Sequence, residues 1–216
     1  MSRLKDKFTI GSNVVCADDT DLRGEISIGS GTVIHPKATI VATQGPIVIG
    51  SGCIIEEGAT IINRQRAVMR IGDNNLFEVL CRIESPRIGS FNTFEARSRT
   101  AQIVNVGSYC TIGAGCFLTP SASAGLSSDD AVSASVTEIA EPVGPSEPAP
   151  DSPLTSSSAA VEILEDMTVV YGAEAKRRTW SGHGLKQAQA LHAKHLEYLR
   201  DTLPRYIELR DWDEED

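Results

Sequence analysis

The sequence predicts an all-β fold, a parallel β-helix of hexapeptide repeats with a C-terminal α-helix packed on one face. Two observations predict the β-helix: an aliphatic residue at every sixth position, and a column of glycines in one phase of that repeat. A third observation, an apolar stripe of helical periodicity near the C-terminus, predicts the helix.

The six-residue spacing is the main evidence for coils. Neither an α-helix, with 3.6 residues per turn, nor a strand, with a period of two, selects for six. Three steps make one coil of about 18 residues that buries its apolar side chains only against neighbouring coils. Successive coils are marked by Ile10, Cys16, Leu22; Ile28, Ile34, Ile40; Ile49, Ile55, Ile61; Ile71, Phe77, Ile83; Ile88, Phe94, Thr100; and Val106, Ile112, Leu118.

Glycine follows the first aliphatic residue of six coils, which supports the same register. It suits a corner where φ is unusual or where neighbouring backbones stack closely. The irregular stretches 43–48, 64–70 and 84–87 all follow the third step, so insertions map to one corner. The glycines are Gly11, Gly29, Gly50, Gly72, Gly89 and Gly107, of which the last five are structural residues in this prediction.

All five cysteines fall on inward positions of the repeat. Buried free cysteine behaves as a small hydrophobe, and the chain has no Cys-x-x-Cys pair. We therefore expect reduced structural thiols, with neither a zinc site nor a catalytic thiol. The cysteines are Cys16, Cys53, Cys81, Cys110 and Cys116.

The repeat also predicts the domain organisation. Residues 1–119 form β-helix coils and 161–178 a final coil; 179–210 form the C-terminal helix, and 211–216 an acidic tail. Residues 120–160 are rich in Ser, Ala, Pro and acids, which predicts a disordered insertion. Two interpretations of that insertion stay open, a regulatory segment with phosphorylatable serines and a tolerated insertion at a coil corner.

The C-terminal helix is expected over residues 185–203, because Pro204 interrupts it. Its apolar stripe should cover side chains on one flat face of the β-helix. The stripe comprises Leu185, Ala188, His192, Leu196, Leu199 and Leu203, and it makes His192 a packed histidine.

Charge and hydropathy exclude several classes of function. The net charge is −9, but eleven acids lie in 121–160 and 211–216, and the remainder has 18 acids against 20 basic residues. The arginines are scattered along the sequence, so no concentrated basic region predicts nucleic-acid binding. No apolar run approaches the length of a membrane span, and we expect a cytoplasmic protein without direct membrane insertion.

The residues that follow the second aliphatic of each coil place His35, Glu56, Glu78 and Glu95 in one column. Adjacent coils are about 4.8 Å apart, so Glu56 could orient His35 as a general base, or the carboxylates could share a cation. Three interpretations compete: a catalytic or metal site, a partner-facing acidic ridge, and a solvated edge. A convex corner favours the ridge, because a reaction site needs a concave wall.

Two enzyme classes use this scaffold. The stretch "LRGEISIGSGTVIHPKATI" resembles the opening of the γ-class carbonic anhydrases, with Glu25 in place of their aspartate. That resemblance implies a zinc bound by three histidines, but only His35 lies on the coils, so we expect no metal site. A hexapeptide acyltransferase needs one histidine as a base, a role that His35 could fill.

Four motifs give a more specific resemblance. The run "GPIVIGSGCIIEEGATIIN", with "TVIHPKATI", "IGDNNLFEVLC" and "TVVYGAEAKRR", resembles the dynactin subunit 6 family, in a fungal-type form with an inserted loop. The resemblance implies left-handed coils and a non-enzymatic, cofactor-free subunit of the dynactin pointed-end complex. The implied partners are dynactin subunit 5, dynactin subunit 4 and the actin-related protein at the filament's pointed end. The implied role is dynein-driven, microtubule-based transport and cargo attachment at the cytoskeleton.

Overall fold

A computed structural model describes residues 6–120 and 161–212, and these ranges form a β-helix with three flat faces. All strand pairs within the coils are parallel and in register, as the six-residue repeat predicts. Of the predicted insertion 120–160, all but Pro120 lies outside the described residues, as do residues 213–216 of the predicted acidic tail. Within the described ranges, no helix is long and apolar enough to cross a membrane.

Each face is one sheet of short strands, numbered here in chain order. The first face contains β1 (Lys7–Ile10), β4 (Glu25–Ile28), β7 (Ile47–Ile49), β10 (Met69–Ile71), β13 (Arg87–Ile88), β16 (Val104–Val106) and β19 (Glu162–Leu164). The second face contains β2 (Val15–Cys16), β5 (Val33–Ile34), β8 (Ile54–Ile55), β11 (Leu76–Phe77), β14 (Thr93–Phe94), β17 (Thr111–Ile112), β20 (Thr168–Tyr171) and β21 (Lys176–Thr179). The third face contains β3 (Asp21–Arg23), β6 (Thr39–Ala42), β9 (Thr60–Asn63), β12 (Arg82–Ile83), β15 (Arg99–Thr100) and β18 (Phe117–Leu118).

The core is a stack of identical positions from successive coils. Ile34, Ile55 and Phe77 occupy one buried row, and the ring of Phe77 stacks on Phe94 with centroids 5.0 Å apart. All five cysteines are buried and free of disulfide bonds, so the inward positions assigned from the repeat are confirmed. Burial raises the pKa of the Cys53 thiol to about 12, which keeps that sulfur protonated.

The glycine column lies at the first corner, between the first and second faces. A Cβ built on Gly50 would lie 2.5 Å from the carbonyl carbon of Gly72, and one built on Gly29 would lie 2.4 Å from that of Gly50. Neither Gly29 nor Gly50 has a positive φ. Of the two reasons that favour glycine there, close stacking of backbones is therefore the one that applies.

The helix α1 (Leu185–Thr202) packs on the second face, and a 3₁₀ turn, Leu203–Arg205, follows it at Pro204. Leu196 and Leu199 are buried against Val33 and Ile54, so the predicted packing on one face is confirmed. Within the predicted final coil, β21 does not continue the β-helix but pairs antiparallel with β20 and covers its edge.

Residues beyond the helix return to the first coil. Leu209 forms an antiparallel bridge with Ala17, and the Arg210 N–H donates to the Cys16 carbonyl at 2.9 Å. The helix therefore spans the stack from its last coil to its first. The last coil is covered by β21, and the first coil is covered by the residues that follow the helix. The repeat pattern did not predict this contact, since 206–210 carry no six-residue signal.

Candidate functional site

The second corner, between the second and third faces, carries the predicted column of His35, Glu56, Glu78 and Glu95. Each residue directly follows an inward residue of the second face, and those inward residues pair in register from coil to coil. The four side chains are thus aligned in coil order, and all four are half-buried. We call this set the second-corner column.

The carboxylates of the column bind the backbone of the next coil. Oε2 of Glu56 accepts a hydrogen bond from the Val79 N–H at 3.1 Å. Glu78 does the same with Ala96 at 3.0 Å, and Glu95 with Ala114 at 2.8 Å. Each carboxylate therefore links two coils through one oxygen.

Burial raises the pKa of the Glu56 carboxyl, and the neighbouring charge of Glu78 adds to the effect. The Val79 N–H and the charge of His195, on α1, oppose this shift because both favour the carboxylate.

His35 lies at the start of the column and is half-buried. Its Nε2 is buried and has no hydrogen-bond partner among the described residues. Burial lowers its pKa, the charge of His195 lowers it further, and Glu57 opposes the change. No hydrogen bond within 6–120 and 161–212 joins His35 to Glu56, whose Oε2 is engaged by Val79 instead.

Two exposed apolar residues share this corner, and no sequence pattern marks them. Val79 is 41% exposed and Leu80 is 54% exposed, directly after Glu78. Leu80 has a φ of 58°, a left-handed conformation that is strained for a bulky residue. Its side chain covers Gly58 of the preceding coil, at the corner position where other coils have Lys37, Arg97 or Gly115.

A cleft of about 400 Å³ lies between the first half of α1 and the later coils of the second face. The rings of Phe91 and Tyr109 stack on one wall with centroids 5.3 Å apart, and Trp180 and Arg178 are also part of the lining. His192 lines the cleft as well, and its Nε2 lies 2.8 Å from the Gly52 carbonyl oxygen. His192 is thus hydrogen-bonded and half-buried, as expected of a packed histidine. No sequence pattern predicts this cleft, because it forms between segments far apart in the chain.

Metal binding requires several ligands that converge on one point. Among residues 6–120 and 161–212, no three His, Cys, Asp or Glu side chains are arranged to hold a metal ion. His35 is the coil histidine, whereas His192 and His195 belong to α1. The described residues therefore do not form the three-histidine zinc site of the γ-class carbonic anhydrases.

Comparison with curated proteins relates the chain to one family. It is 43% identical over 124 residues to dynactin subunit 6 of Nematostella vectensis, covering 52% of this chain and 67% of that protein. It is 31% identical over 209 residues to dynactin subunit 6 of Danio rerio, covering 91% of this chain and 84% of that protein. The chain belongs to the dynactin subunit 6 family.

Solved structures agree with the fold of this dynactin subunit 6 family member. A hexapeptide transferase family protein from Anaplasma phagocytophilum superimposes with a TM-score of 0.62 over 90% of this chain and 92% of that chain. Its sequence identity is 12%, so the similarity shows the fold alone. The predicted left-handed parallel β-helix of hexapeptide repeats is thus confirmed. No protein-family model matches the chain.

Proposed function

We propose that this protein is a non-enzymatic structural and adaptor subunit of the dynactin pointed-end complex. In this role it works in the cytoplasm, at the cytoskeleton, and supports dynein-driven transport along microtubules and cargo attachment. The observation that carries the proposal is the 31% identity to a dynactin subunit 6 across 91% of the chain. Its partners are dynactin subunit 5, dynactin subunit 4 and the actin-related protein at the filament's pointed end.

The second-corner column is the proposed partner-binding surface, with His35, Glu56, Glu78 and Glu95 as its polar part. Each carboxylate uses Oε2 for the next coil, and no described residue bonds to Oε1. Val79 and Leu80 add exposed apolar area beside these oxygens. Exposed apolar area bordered by polar groups is a feature of interaction surfaces and supports this assignment.

An acyltransferase is the competing function, since the scaffold is shared with such enzymes and His35 is the coil histidine. General-base catalysis requires the basic nitrogen to reach the proton that it removes. Nε2 of His35 is shielded from solvent, and the pKa of the ring is lowered by burial. These features favour a packed residue over a catalytic one.

The test is to co-express the full chain with dynactin subunit 5 and measure the mass of the product by native mass spectrometry. A one-to-one complex is expected, whereas a homotrimer that turns over acetyl-CoA would support the acyltransferase. A chain that neither binds subunit 5 nor forms trimers would contradict both functions.

A substitution at Leu80 tests the surface itself. Leu80→Asn removes the exposed apolar side chain, and asparagine tolerates a left-handed φ, so folding should be preserved. We expect the dissociation constant for subunit 5 to rise by about tenfold. Arg97→Asn, at the same corner position one coil later, is the matched control and should leave binding unchanged. If neither substitution changes the dissociation constant, this corner is not part of the interface.

A further inference from the structure

Four arginines of the first and third faces lie in two register-matched pairs. Arg70 of β10 is paired in register with Arg87 of β13, and Arg82 of β12 with Arg99 of β15. Each one precedes an inward residue, so its side chain projects outward. Strands in a sheet are about 4.8 Å apart, and like charges directly opposite each other are destabilising. We call these four residues the arginine surface; one pair lies on each of the two faces that meet at the third corner.

Few carboxylates compensate this charge. Residues 64–99 contain seven arginines, no lysine and four acids. Three of the acids bind backbone N–H groups elsewhere: Asp73 accepts from Ser51 at 2.7 Å, Glu78 from Ala96 and Glu95 from Ala114.

Glu84 is the remaining acid, and it pairs with Arg82 and Arg64. The other members of the arginine surface, Arg70, Arg87 and Arg99, are exposed. None of the three has an ion pair or a hydrogen bond through its guanidinium group within 6–120 and 161–212. Three unpaired arginines on a rigid scaffold form a surface suited to carboxylates.

The chain enters and leaves residues 121–160 at the same third corner. Phe117 of β18 is paired in register with Arg99, so β18 lies about 5 Å from the strand of Arg99 and about 10 Å from that of Arg82, and the chain leaves this sheet three residues after Phe117. Arg177 contacts the residues on both sides of this segment, because it donates to the Thr119 carbonyl at 2.8 Å and pairs with Glu162.

The composition of this segment complements the arginine surface. Residues 121–160 contain six acids and no basic residue. The length of the segment is sufficient to reach Arg82, because forty residues at about 3.3 Å per extended residue exceed the width of two coils. We propose that the acids of 121–160 form ion pairs with the arginine surface of the same chain. The proposal does not depend on the dynactin assignment.

The expected contact is weak and depends on salt. A single exposed ion pair contributes little stability, so several must form together. Their attraction falls as the Debye length shrinks from about 10 Å at 0.1 M salt to about 3 Å at 1 M. An acidic partner segment could then displace residues 121–160 by competition for the same guanidinium groups.

Carbodiimide cross-linking of the full chain tests the proposal. This reagent joins amines directly to carboxylates, and Arg87→Lys or Arg99→Lys keeps the positive charge while supplying an amine. We expect cross-linked peptides that join position 87 or 99 to residues 121–160, with a yield at least about fivefold lower in 1 M salt. Lys194, exposed on α1, is the internal control and should give little of this product. Equal yields at Lys194 and position 87 would overturn the proposal. A mixture of labelled and unlabelled chains shows whether a cross-link lies within one chain. Cross-links found only between different chains would also overturn the proposal.

A binding measurement gives a second readout. A variant of the full chain with its acids neutralised should leave the arginine surface open, and it should bind a poly-glutamate peptide about tenfold more tightly than the unmodified chain. Adding Arg70→Glu and Arg99→Glu should abolish that gain. Equal affinities of the unmodified and neutralised chains would contradict the proposal. The neutralised positions are Asp129, Asp130, Glu138, Glu141, Glu147 and Asp151, replaced by the corresponding amides.

Discussion

The carboxylate of Glu78 accepts a hydrogen bond from the backbone N–H of Ala96, one coil away and at 3.0 Å. The same contact joins Glu56 to Val79 and Glu95 to Ala114. A corner N–H that points along the β-helix axis has no strand partner of its own, so a glutamate side chain supplies the acceptor. The column therefore stabilises the stack as well as presenting charge, and the two roles are separable by mutation.

Two substitutions of Glu78 should separate its hydrogen bond from its charge. Glu78→Ala leaves the half-buried Ala96 N–H without its acceptor, and we expect a loss of about 1–3 kcal/mol in the free energy of unfolding. Glu78→Gln keeps a carbonyl oxygen in the same place and should cost less than about 1 kcal/mol. Urea denaturation of both variants measures the difference. If alanine and glutamine cost the same, the hydrogen bond makes no contribution to stability.

The glycine corner gives a second prediction, with a matched pair of substitutions. Gly50→Ala places a methyl group 2.5 Å from backbone atoms of the next coil. We therefore expect the free energy of unfolding to decrease by more than about 3 kcal/mol. Gly115→Ala meets no atom within 4 Å, but its φ of 68° is left-handed, so the expected cost is about 1–2 kcal/mol. Thermal unfolding compares the two. A smaller loss for Gly50→Ala than for Gly115→Ala would mean that the coils can separate at this corner.

The sequence predicted the features that the repeat itself determines. The six-residue spacing fixed which residues point inward, and all five cysteines are buried accordingly. The period also aligned His35 with Glu56, Glu78 and Glu95, because each coil adds one member to each column. Local periodicity likewise located α1 and its buried Leu196 and Leu199.

Features that depend on contacts between distant segments were not predictable. The turn of β21 back onto β20 and the bridge of Leu209 to Ala17 follow from docking, not from any period in the sequence. The arginines look scattered along the chain, and only the strand register places Arg70 beside Arg87. The length of the third corner differs from coil to coil and changes the spacing between coils, which hides such pairs from simple counting.

Stability should fall as the pH decreases through the range in which histidine titrates. Burial lowers the pKa of His35 and of His192, and the charge of His195 lowers both further. Glu57 opposes the shift of His35, and the hydrogen bond to the Gly52 carbonyl opposes that of His192. Below a pH of about 6.5 the unfolded chain binds protons that the folded chain does not, so protonation favours unfolding until the folded pKa is passed.

Melting temperatures between pH 7.5 and pH 5 measure this effect. The double variant His35→Gln, His192→Gln removes both groups, and its melting temperature should decrease less over that range than that of the unmodified chain. Glutamine at position 192 retains a donor for the Gly52 carbonyl. Parallel pH profiles for the two proteins would show that neither histidine is linked to folding.

The C-terminal tail should stabilise the first coil. The Asp18 N–H donates to the Glu208 carbonyl at 3.0 Å, and the Arg210 guanidinium lies 5.9 Å from the ring centroid of Phe8 and 5.7 Å from that of Trp212. Two backbone hydrogen bonds at about 1 kcal/mol each and one cation–π contact at about 0.5–1 kcal/mol give about 3 kcal/mol.

Ending the chain at residue 206 removes this contact and leaves the edge of β2 open to pairing with another chain. We expect the melting temperature to fall by about 6–12 °C and the truncated protein to self-associate as its concentration rises. Deleting only residues 213–216 is the control, because it removes acidic charge but keeps the contacts of Arg210 and Trp212. Calorimetry and light scattering report the two effects. If both truncations behave alike, charge in the last residues, and not the covering of the first coil, controls stability at this end.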